Sequence, residues 1–371
     1  SGVREAARMR RLAAFTCSLL LVTAACSDDA DTSTEPDRPT EAAPDTTAAP
    51  TTAAPTTPPT TAAPTTAPPT TEPPVQYAAT IDELLTLGRP IVLAHTAGED
   101  EFPASSLFAF GESVKAGVDM LDMNVLLTKD GVLIVQHDDT VDRVTNGTGA
   151  VADLTYAEIA ALDNAYWFTA ACGACRDQPE ADYLYRGIRT GDVPPPAGYT
   201  ADDFAIPTFR QLVERFPDIP LNVEIKGTGA PAMAAADVLA AELIELDRSA
   251  ATVVASFDDA IVDYFHQIAP EVEVSAGLNV LTAYVLEGTP PPAGMRILQL
   301  PPEFSGLEVI TPELVARATA DGFPIWVWPN DRDLENLDAY RDFLEQGIAG
   351  LNINFPAQGV QAVQEFVAAT G

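Results

Sequence analysis

From residue 76 onward the chain alternates short apolar runs with amphipathic stretches. The runs are Ile91–Ala94, Met120–Leu127, Leu133–Gln136, Leu221–Ile225, Thr252–Ala255, Val272–Leu278, Ile297–Leu300, Pro324–Trp328 and Leu351–Ile353. Between them, helical periodicity marks Ser106–Ala116, Pro231–Leu246, Asp258–Ile268, Pro312–Ala320 and Leu334–Glu345. Continuous apolar strands alternating with helices predict a parallel sheet buried on both faces. The array fits an α/β fold of the TIM (β/α)8 barrel type over residues 76–371, with Leu133–Gln136 as a hairpin extension after strand 2. An open doubly wound sheet fits less well, because no Gly-rich phosphate loop follows the first strand. Residues 165–203 contain Cys and Pro without clear periodicity and read as a loop insertion.

The pattern before residue 76 is different. Arg10 and Arg11 precede an apolar run, Leu12–Ala25, that is too short to cross a membrane and suits a signal peptide over residues 1–25. It ends in Leu21-Val22-Thr23-Ala24-Ala25-Cys26, which resembles a bacterial lipobox in which Cys26 carries the lipid; Thr23 departs from the usual Leu. A plain signal peptide with Cys26 incidental is the alternative. Residues 26–75 repeat Thr, Ala and Pro with acidic residues and no glycine, so they cannot bury surface and read as a disordered Thr/Pro-rich tether. The expected localisation is an exported lipoprotein on the extracytoplasmic side of the cell membrane. In that compartment Cys172-Gly-Ala-Cys175 reads as a small disulfide, ahead of a redox motif or half a zinc site.

Composition adds a constraint on partners. Acidic side chains number 54 against 20 basic ones, for a net charge of -34, while 47% hydrophobic residues allow a globular core. Residues 1–26 carry +3 and residues 27–75 carry −7, which leaves −30 on the folded part. A nucleic acid partner is excluded, because phosphate binding needs clustered Lys and Arg. No protein partner is inferable.

In a TIM barrel the chemistry sits at the C-terminal strand ends. Those ends carry His95, Asp122 with Asn124, His137-Asp138, Glu224 with Lys226, Ser256, Trp328 with Asn330, and Asn352 with Asn354. Two of three histidines fall there, and the third, His266, lies mid-helix as a structural residue. Paired histidines, neighbouring carboxylates and one lysine suit acid–base hydrolysis of an anionic ester around a divalent cation.

An ordered series of motifs then resembles the glycerophosphodiester phosphodiesterase family over residues 88–357. His95-Thr96-Ala97 stands for the family's His-Arg-Gly, and Pro103-Ala104-Ser105-Ser106 for its Pro-Glu-Asn-Thr. Asp122-Met123-Asn124-Val125 and Thr128-Lys129-Asp130-Gly131 stand for Glu-x-Asp-Val and Thr-x-Asp-Gly. His137-Asp138, Asp142-Arg143-Val144-Thr145-Asn146-Gly147, Ile206-Pro207-Thr208, Asn222-Val223-Glu224-Ile225-Lys226 and Trp328-Pro329-Asn330 follow, and Asn354-Phe355-Pro356 stands for Asp-x-Pro. The resemblance implies His95 and His137 as general acid and base. It implies Asp122, Asn124 and Glu224 as ligands of a divalent cation, Ca²⁺ or Mg²⁺, and Lys226 as the partner of the phosphoryl oxygens of a small phosphodiester.

The departures weaken that site. Thr96 cannot supply the charge of a phosphate-gripping arginine. Asn124 replaces a carboxylate, so the ligand positions carry −2, and divalent affinity falls with ligand charge. Ala104 and Ser105 remove a polar pair. Glu99-Asp100-Glu101 lies close to strand 1 and reads as a solvated loop, with added metal charge as the lesser reading. Two function classes follow: a metal-dependent phosphodiesterase, or a catalytically lapsed barrel retained as a surface binding or scaffold lipoprotein. A phosphatidylinositol- or sphingomyelin-cleaving barrel is a third.

Overall fold

Aliphatic and β-branched runs form eight parallel strands: β1 (Ile91–Ala94), β2 (Met120–Leu127), β3 (Leu221–Ile225), β4 (Thr252–Ala255), β5 (Glu273–Val274), β6 (Leu298–Leu300), β7 (Ile325–Val327) and β8 (Gly350–Ile353). The computed structural model describes residues 77–170 and 172–371, so the signal peptide, the tether and the lipidation expected at Cys26 lie outside the described residues. Strand order in the sheet is β5-β4-β3-β2-β1-β8-β7-β6, so neighbours in sequence are neighbours in space and the last strand returns to the first. Val92 of β1 is paired with Leu351 of β8, and Leu93 with Met120 of β2. This is an α/β fold with the cyclic strand order of a TIM barrel.

The backbone ladder is open between β5 and β6. Side chains bridge that seam: the Arg296 guanidinium donates to Glu273 Oε2 at 2.6 and 3.0 Å and also reaches Asp82 at 2.7 Å. Inside the sheet, Asn222 of β3 and Gln299 of β6 exchange amide hydrogen bonds at 3.0 and 2.9 Å. The buried Asn222 and the half-buried Gln299 satisfy each other and tie strands from opposite halves of the array.

Each strand is followed by a helix: α1 (Leu107–Ala116), α2 (Phe209–Arg215), α3 (Gly229–Glu245), α4 (Asp259–Ile268), α5 (Leu278–Glu287), α6 (Pro312–Asp321), α7 (Leu337–Glu345) and α8 (Pro356–Thr370). Their starts are chemically marked. The Ser106, Thr311 and Asn336 side chains accept from backbone N–H groups of the first turns, and Pro312 opens α6. None of the described helices is long and apolar enough to cross a membrane. A further short helix, Ile81–Leu85, buries Ile81 and Leu84 against Ile91, Leu93, Met120, Val253, Ile297 and Trp326. Those partners lie at or near the beginnings of strands, so this helix covers the N-terminal end of the sheet.

Several boundaries differ from expectation. The Val272–Leu278 run is strand only over Glu273–Val274, and its last residue, Leu278, begins α5 behind the N-cap Gly277. Leu133–Val135 pairs antiparallel with β2, as the predicted hairpin, and stops one residue short of Gln136. The Leu334–Glu345 stretch is split, because Asn336 caps a new helix and Arg332–Leu334 forms a separate 3₁₀ turn. The insertion at 165–203 holds only a two-residue hairpin, Phe168–Thr169 with Gly173–Ala174, and short turns. Cys172 and Cys175 are joined by a disulfide in that hairpin.

Candidate active site

The chain leaves β1 at Ala94 and turns sharply. His95, Thr96 and Ala97 form a 3₁₀ turn in which Thr96 (φ 43°) and Ala97 (φ 71°) are left-handed, and Ser105 (φ 54°) follows. Three of the five non-glycine residues with positive φ among the described residues thus surround His95. Such backbone costs about 1–3 kcal/mol per residue and persists where its surroundings hold it. Here Ser105 N donates to Thr96 O at 2.9 Å, and the fully buried Thr96 donates its backbone N–H to Asp122 Oδ2 at 3.5 Å. The Thr96 hydroxyl is buried without a hydrogen-bond partner.

The turn aims His95 at His137, which follows the hairpin, with ring centroids 6.2 Å apart and planes at 79°. Each Nδ1 has its own acceptor: Asn354 Oδ1 at 2.7 Å from His95, and Asp138 Oδ1 at 2.7 Å from His137. With Nδ1 so engaged, proton transfer falls to the Nε2 atoms, of which that of His137 also meets Lys226. Lys226 Nζ lies 3.4 Å from His137 Nε2 and 2.9 Å from Glu224 Oε2. The structure therefore brings His95, His137, Glu224 and Lys226 to one end of the sheet, where the sequence placed them.

Alternation along β2 puts Asp122 and Asn124 on one face, and β3 presents Asn222 and Glu224 beside them in register. Asp122 and Asn124 are buried, with 5% and 1% exposure. Asp122 Oδ1 accepts from Asn222 Nδ2 at 2.5 Å, and Asn124 Nδ2 has no partner. Burial, helped by the nearby Glu224 charge, raises the Asp122 pKa against the pull of His95 and Asn222. Among the described residues, no group of three or more His, Cys, Asp or Glu side chains forms a metal cluster. The donor set at the implied metal positions is two carboxylates and an amide. These are hard oxygen donors suited to Ca²⁺ or Mg²⁺, and the mutual repulsion of two carboxylates favours a cation between them.

The expectation of a solvated loop at Glu99-Asp100-Glu101 is overturned. Gly98 (φ +83°) packs so closely on Pro356 that an added Cβ would lie 2.5 Å from its Cγ, and the loop folds inward over the site. Glu99 Oε1 lies 3.7 Å from His95 Nδ1, and its Oε2 accepts from Arg143 at 3.2 Å. Arg143 also donates through Nε to Asp138 Oδ2 at 2.6 Å. A continuous ionic chain, His95–Glu99–Arg143–Asp138–His137, thus links the two imidazoles. Burial works to raise the Asp138 pKa, but hydrogen bonds from His137 and Arg143 hold it well below the usual carboxylate range. Burial likewise opposes ionisation of Glu99, and the charges of His95, Arg143 and His137 lower its pKa overall. Asp100 is buried, bonded to Arg332 and to Asn354 Nδ2 at 3.0 Å, and Glu101 accepts from Ala357 N at 3.1 Å.

Further contacts hold Asn354. Its backbone N–H donates to Glu335 Oε2 at 2.9 Å, which also accepts from Tyr340 Oη at 2.5 Å. Of the other strand-end residues, Ser256 donates to Ile225 O at 3.0 Å, and Asn330 donates to Glu303 O at 2.8 Å. Trp328 meets the exposed Phe257 edge to face at 5.8 Å. Asn352 keeps a buried Oδ1 without a partner. His266 lies within α4, as expected, away from this group. The sequence offers Glu99 only as added metal charge and Arg143 only within a matched motif, because nothing in their spacing shows that two loops meet. Glu335 falls inside the stretch Leu334–Glu345 read as helix, and nothing there marks it as a site residue.

Comparison with known proteins agrees with this geometry. The model of the glycerophosphoryl diester phosphodiesterase family matches residues 95–358. The glycerophosphodiester phosphodiesterase of Caldanaerobacter subterraneus subsp. tengcongensis is 26% identical over 284 residues, covering 75% of this chain and 99% of that protein. The glycerophosphodiester phosphodiesterase of Bacillus altitudinis is 24% identical over 281 residues, covering 74% and 98%. Among solved structures, the glycerophosphoryl diester phosphodiesterase domain of a Mycobacterium tuberculosis protein superposes with a TM-score of 0.57 at 19% identity, covering 74% of this chain and 98% of that one. An Oleispira antarctica phosphodiesterase in complex with sn-glycerol-3-phosphate gives a TM-score of 0.57 at 16% identity, covering 76% and 99%. With the family model spanning most of the folded region, the chain belongs to the glycerophosphoryl diester phosphodiesterase family.

Proposed function

We propose that this protein is an extracytoplasmic, metal-dependent phosphoric diester hydrolase. It cleaves a glycerophosphodiester to glycerol phosphate and an alcohol on a (β/α)8 barrel. The observation that carries the reading is the facing pair of histidines, each with Nδ1 engaged so that proton transfer falls to Nε2, which in His137 lies beside Lys226. His137 Nε2 takes a proton from the attacking water as its oxygen bonds to phosphorus. The bond from phosphorus to the leaving oxygen breaks, and His95 gives that oxygen its proton from Nε2. His95 suits the acid role. Burial alone would lower its pKa, but the charges of Glu99 and Asp122 and the Asn354 hydrogen bond raise it above the ordinary value. Lys226 binds the phosphoryl oxygens, and its pairing with Glu224 holds it at the strand end.

Asp122, Asn124 and Glu224 would hold the divalent cation. When bound, that ion polarises the phosphoryl oxygen and offsets its charge. The N-terminal pattern supports export and lipid attachment at Cys26, which the mass of the mature N-terminus checks; a mature chain starting elsewhere sinks the anchor. One observation favours the catalytically lapsed alternative: Asp122 and Glu224 already have partners, Asn222 and Lys226, within the chain.

Turnover decides between the two. The full-length chain is incubated with glycerophosphocholine and related diesters, with Ca²⁺, Mg²⁺ and Mn²⁺ in turn. Hydrolysis that is abolished by chelator and reduced about 10²- to 10⁴-fold by His95→Ala or His137→Ala supports the enzyme. No turnover with any diester and any metal leaves the binding protein.

A further inference from the structure

His95 Nδ1 has two oxygen partners of different kinds. Asn354 Oδ1, at 2.7 Å, is neutral and hydrogen-bonded, while Glu99 Oε1, at 3.7 Å, is charged and at ion-pair distance. The sequence resemblance places an aspartate where this chain has Asn354. The local wiring explains the amide. Asn354 Nδ2 donates to Asp100 Oδ2 at 3.0 Å, so an aspartate at 354 would set two carboxylates against each other. The same donation fixes the side chain with Oδ1 toward His95. Asn354 can therefore orient the imidazole, but it brings no charge to balance an imidazolium.

We propose that Glu99, held in place by Arg143, supplies the charge that stabilises protonated His95, and that orientation and charge are divided here between Asn354 and Glu99. This rests on the reading of His95 as the general acid. Glu99 is then a positioning residue, not a catalytic one, since it acts through His95. Its two oxygens are used separately: Oε1 faces His95, and Oε2 receives Arg143 at 3.2 Å. The remaining charged groups around His95 have other partners. Asp122 is bonded by Asn222 and by the Thr96 backbone, and Glu335 by Tyr340 and the Asn354 backbone. His137, the other titratable ring at the site, is turned to Asp138. Burial lowers the His95 pKa, and among the groups that raise it Glu99 comes first, ahead of Asp122, Asn354 and Glu335.

The test moves the charge. Glu99→Gln keeps an oxygen for Arg143 and removes the negative charge. It should lower the His95 pKa by about one unit and kcat about tenfold, with KM nearly unchanged. Adding Asn354→Asp with Asp100→Asn returns a carboxylate to the same imidazole nitrogen without the carboxylate clash, and should restore both values. The histidine titrations are followed by NMR on the full-length chain, which is tractable because it has 3 histidines. Glu99→Gln with an unchanged His95 pKa, or a charge-moved variant no better than Glu99→Gln, would overturn the proposal. If the wild-type chain hydrolyses no diester, the hydrolase reading fails by itself, and the His95 pKa series still decides where the charge comes from.

Discussion

At Glu335, burial outweighs the favourable contacts. Removal from water pushes its pKa up to about 7, although Tyr340, the Asn354 backbone and His95 all favour the ionised form. In the unfolded chain the group returns to its ordinary value near 4.5. The folded pKa is raised, so the associated stability is fully present below about pH 4.5 and is lost as pH climbs towards 7. The whole effect is on the order of 3 kcal/mol. Glu335→Gln keeps an oxygen for Tyr340 and Asn354 without the titration. Urea unfolding at pH 5 and pH 8 should therefore show a smaller loss of stability for the variant than for the wild type. Parallel losses would refute this. The same scale shows what could be read from residue types. His95, His137, Glu224 and Lys226 stand out because rare chemistry falls within or directly after apolar runs. Glu99, Arg143 and Glu335 do not, because each reaches the site through a loop whose path depends on packing. At Glu99 that path depends on a glycine seated against Pro356.

Among the elements, strands were more legible than helices. Apolar runs mark seven of the eight parallel strands to within two residues at either end, since a strand buried on both faces needs an unbroken apolar stretch. β5 is the exception, two residues long, since the end of its apolar run enters α5. Helices α2, α5 and α8 were not predicted. In α8 the reason is visible: Gly359 faces Ile353 and Val92, so a position that close packing requires to be small interrupts the apolar stripe. The disulfide hairpin of the insertion contributes to the site through a similar contact. A Cβ at Gly173 would lie 2.9 Å from Asp100 Oδ1 and 3.0 Å from Glu99 O, and its φ of +68° disfavours any side chain. Gly173→Ala should thus destabilise the protein by about 1–3 kcal/mol and displace the acidic loop. Thermal melting measures the first effect and the His95 titration the second. An unchanged melting temperature would show that the hairpin yields without cost.

For the molecule as a whole, the charge of −30 on the folded part acts against the proposed substrate, a small anion. Net repulsion slows encounter, and salt screens it: the Debye length falls from roughly 30 Å at 0.01 M to about 8 Å at 0.15 M ionic strength. Hence kcat/KM for an anionic diester should rise with monovalent salt over that range, at fixed divalent cation. A fall would mean that the local field at the mouth, set by Lys226, Arg143 and a bound cation, dominates the global one. Polarity of the fold matters in another way. The helix Ile81–Leu85 seals the end of the sheet where strands begin, while His95 and Asn354 follow the ends of β1 and β8. The first helix of the described residues therefore lies at the end of the sheet away from the candidate site. Solutes that reach the strand-end residues thus approach from the face opposite that helix, and a substitution confined to the seal, such as Leu84→Ala, should cost stability while leaving the His95 titration in place.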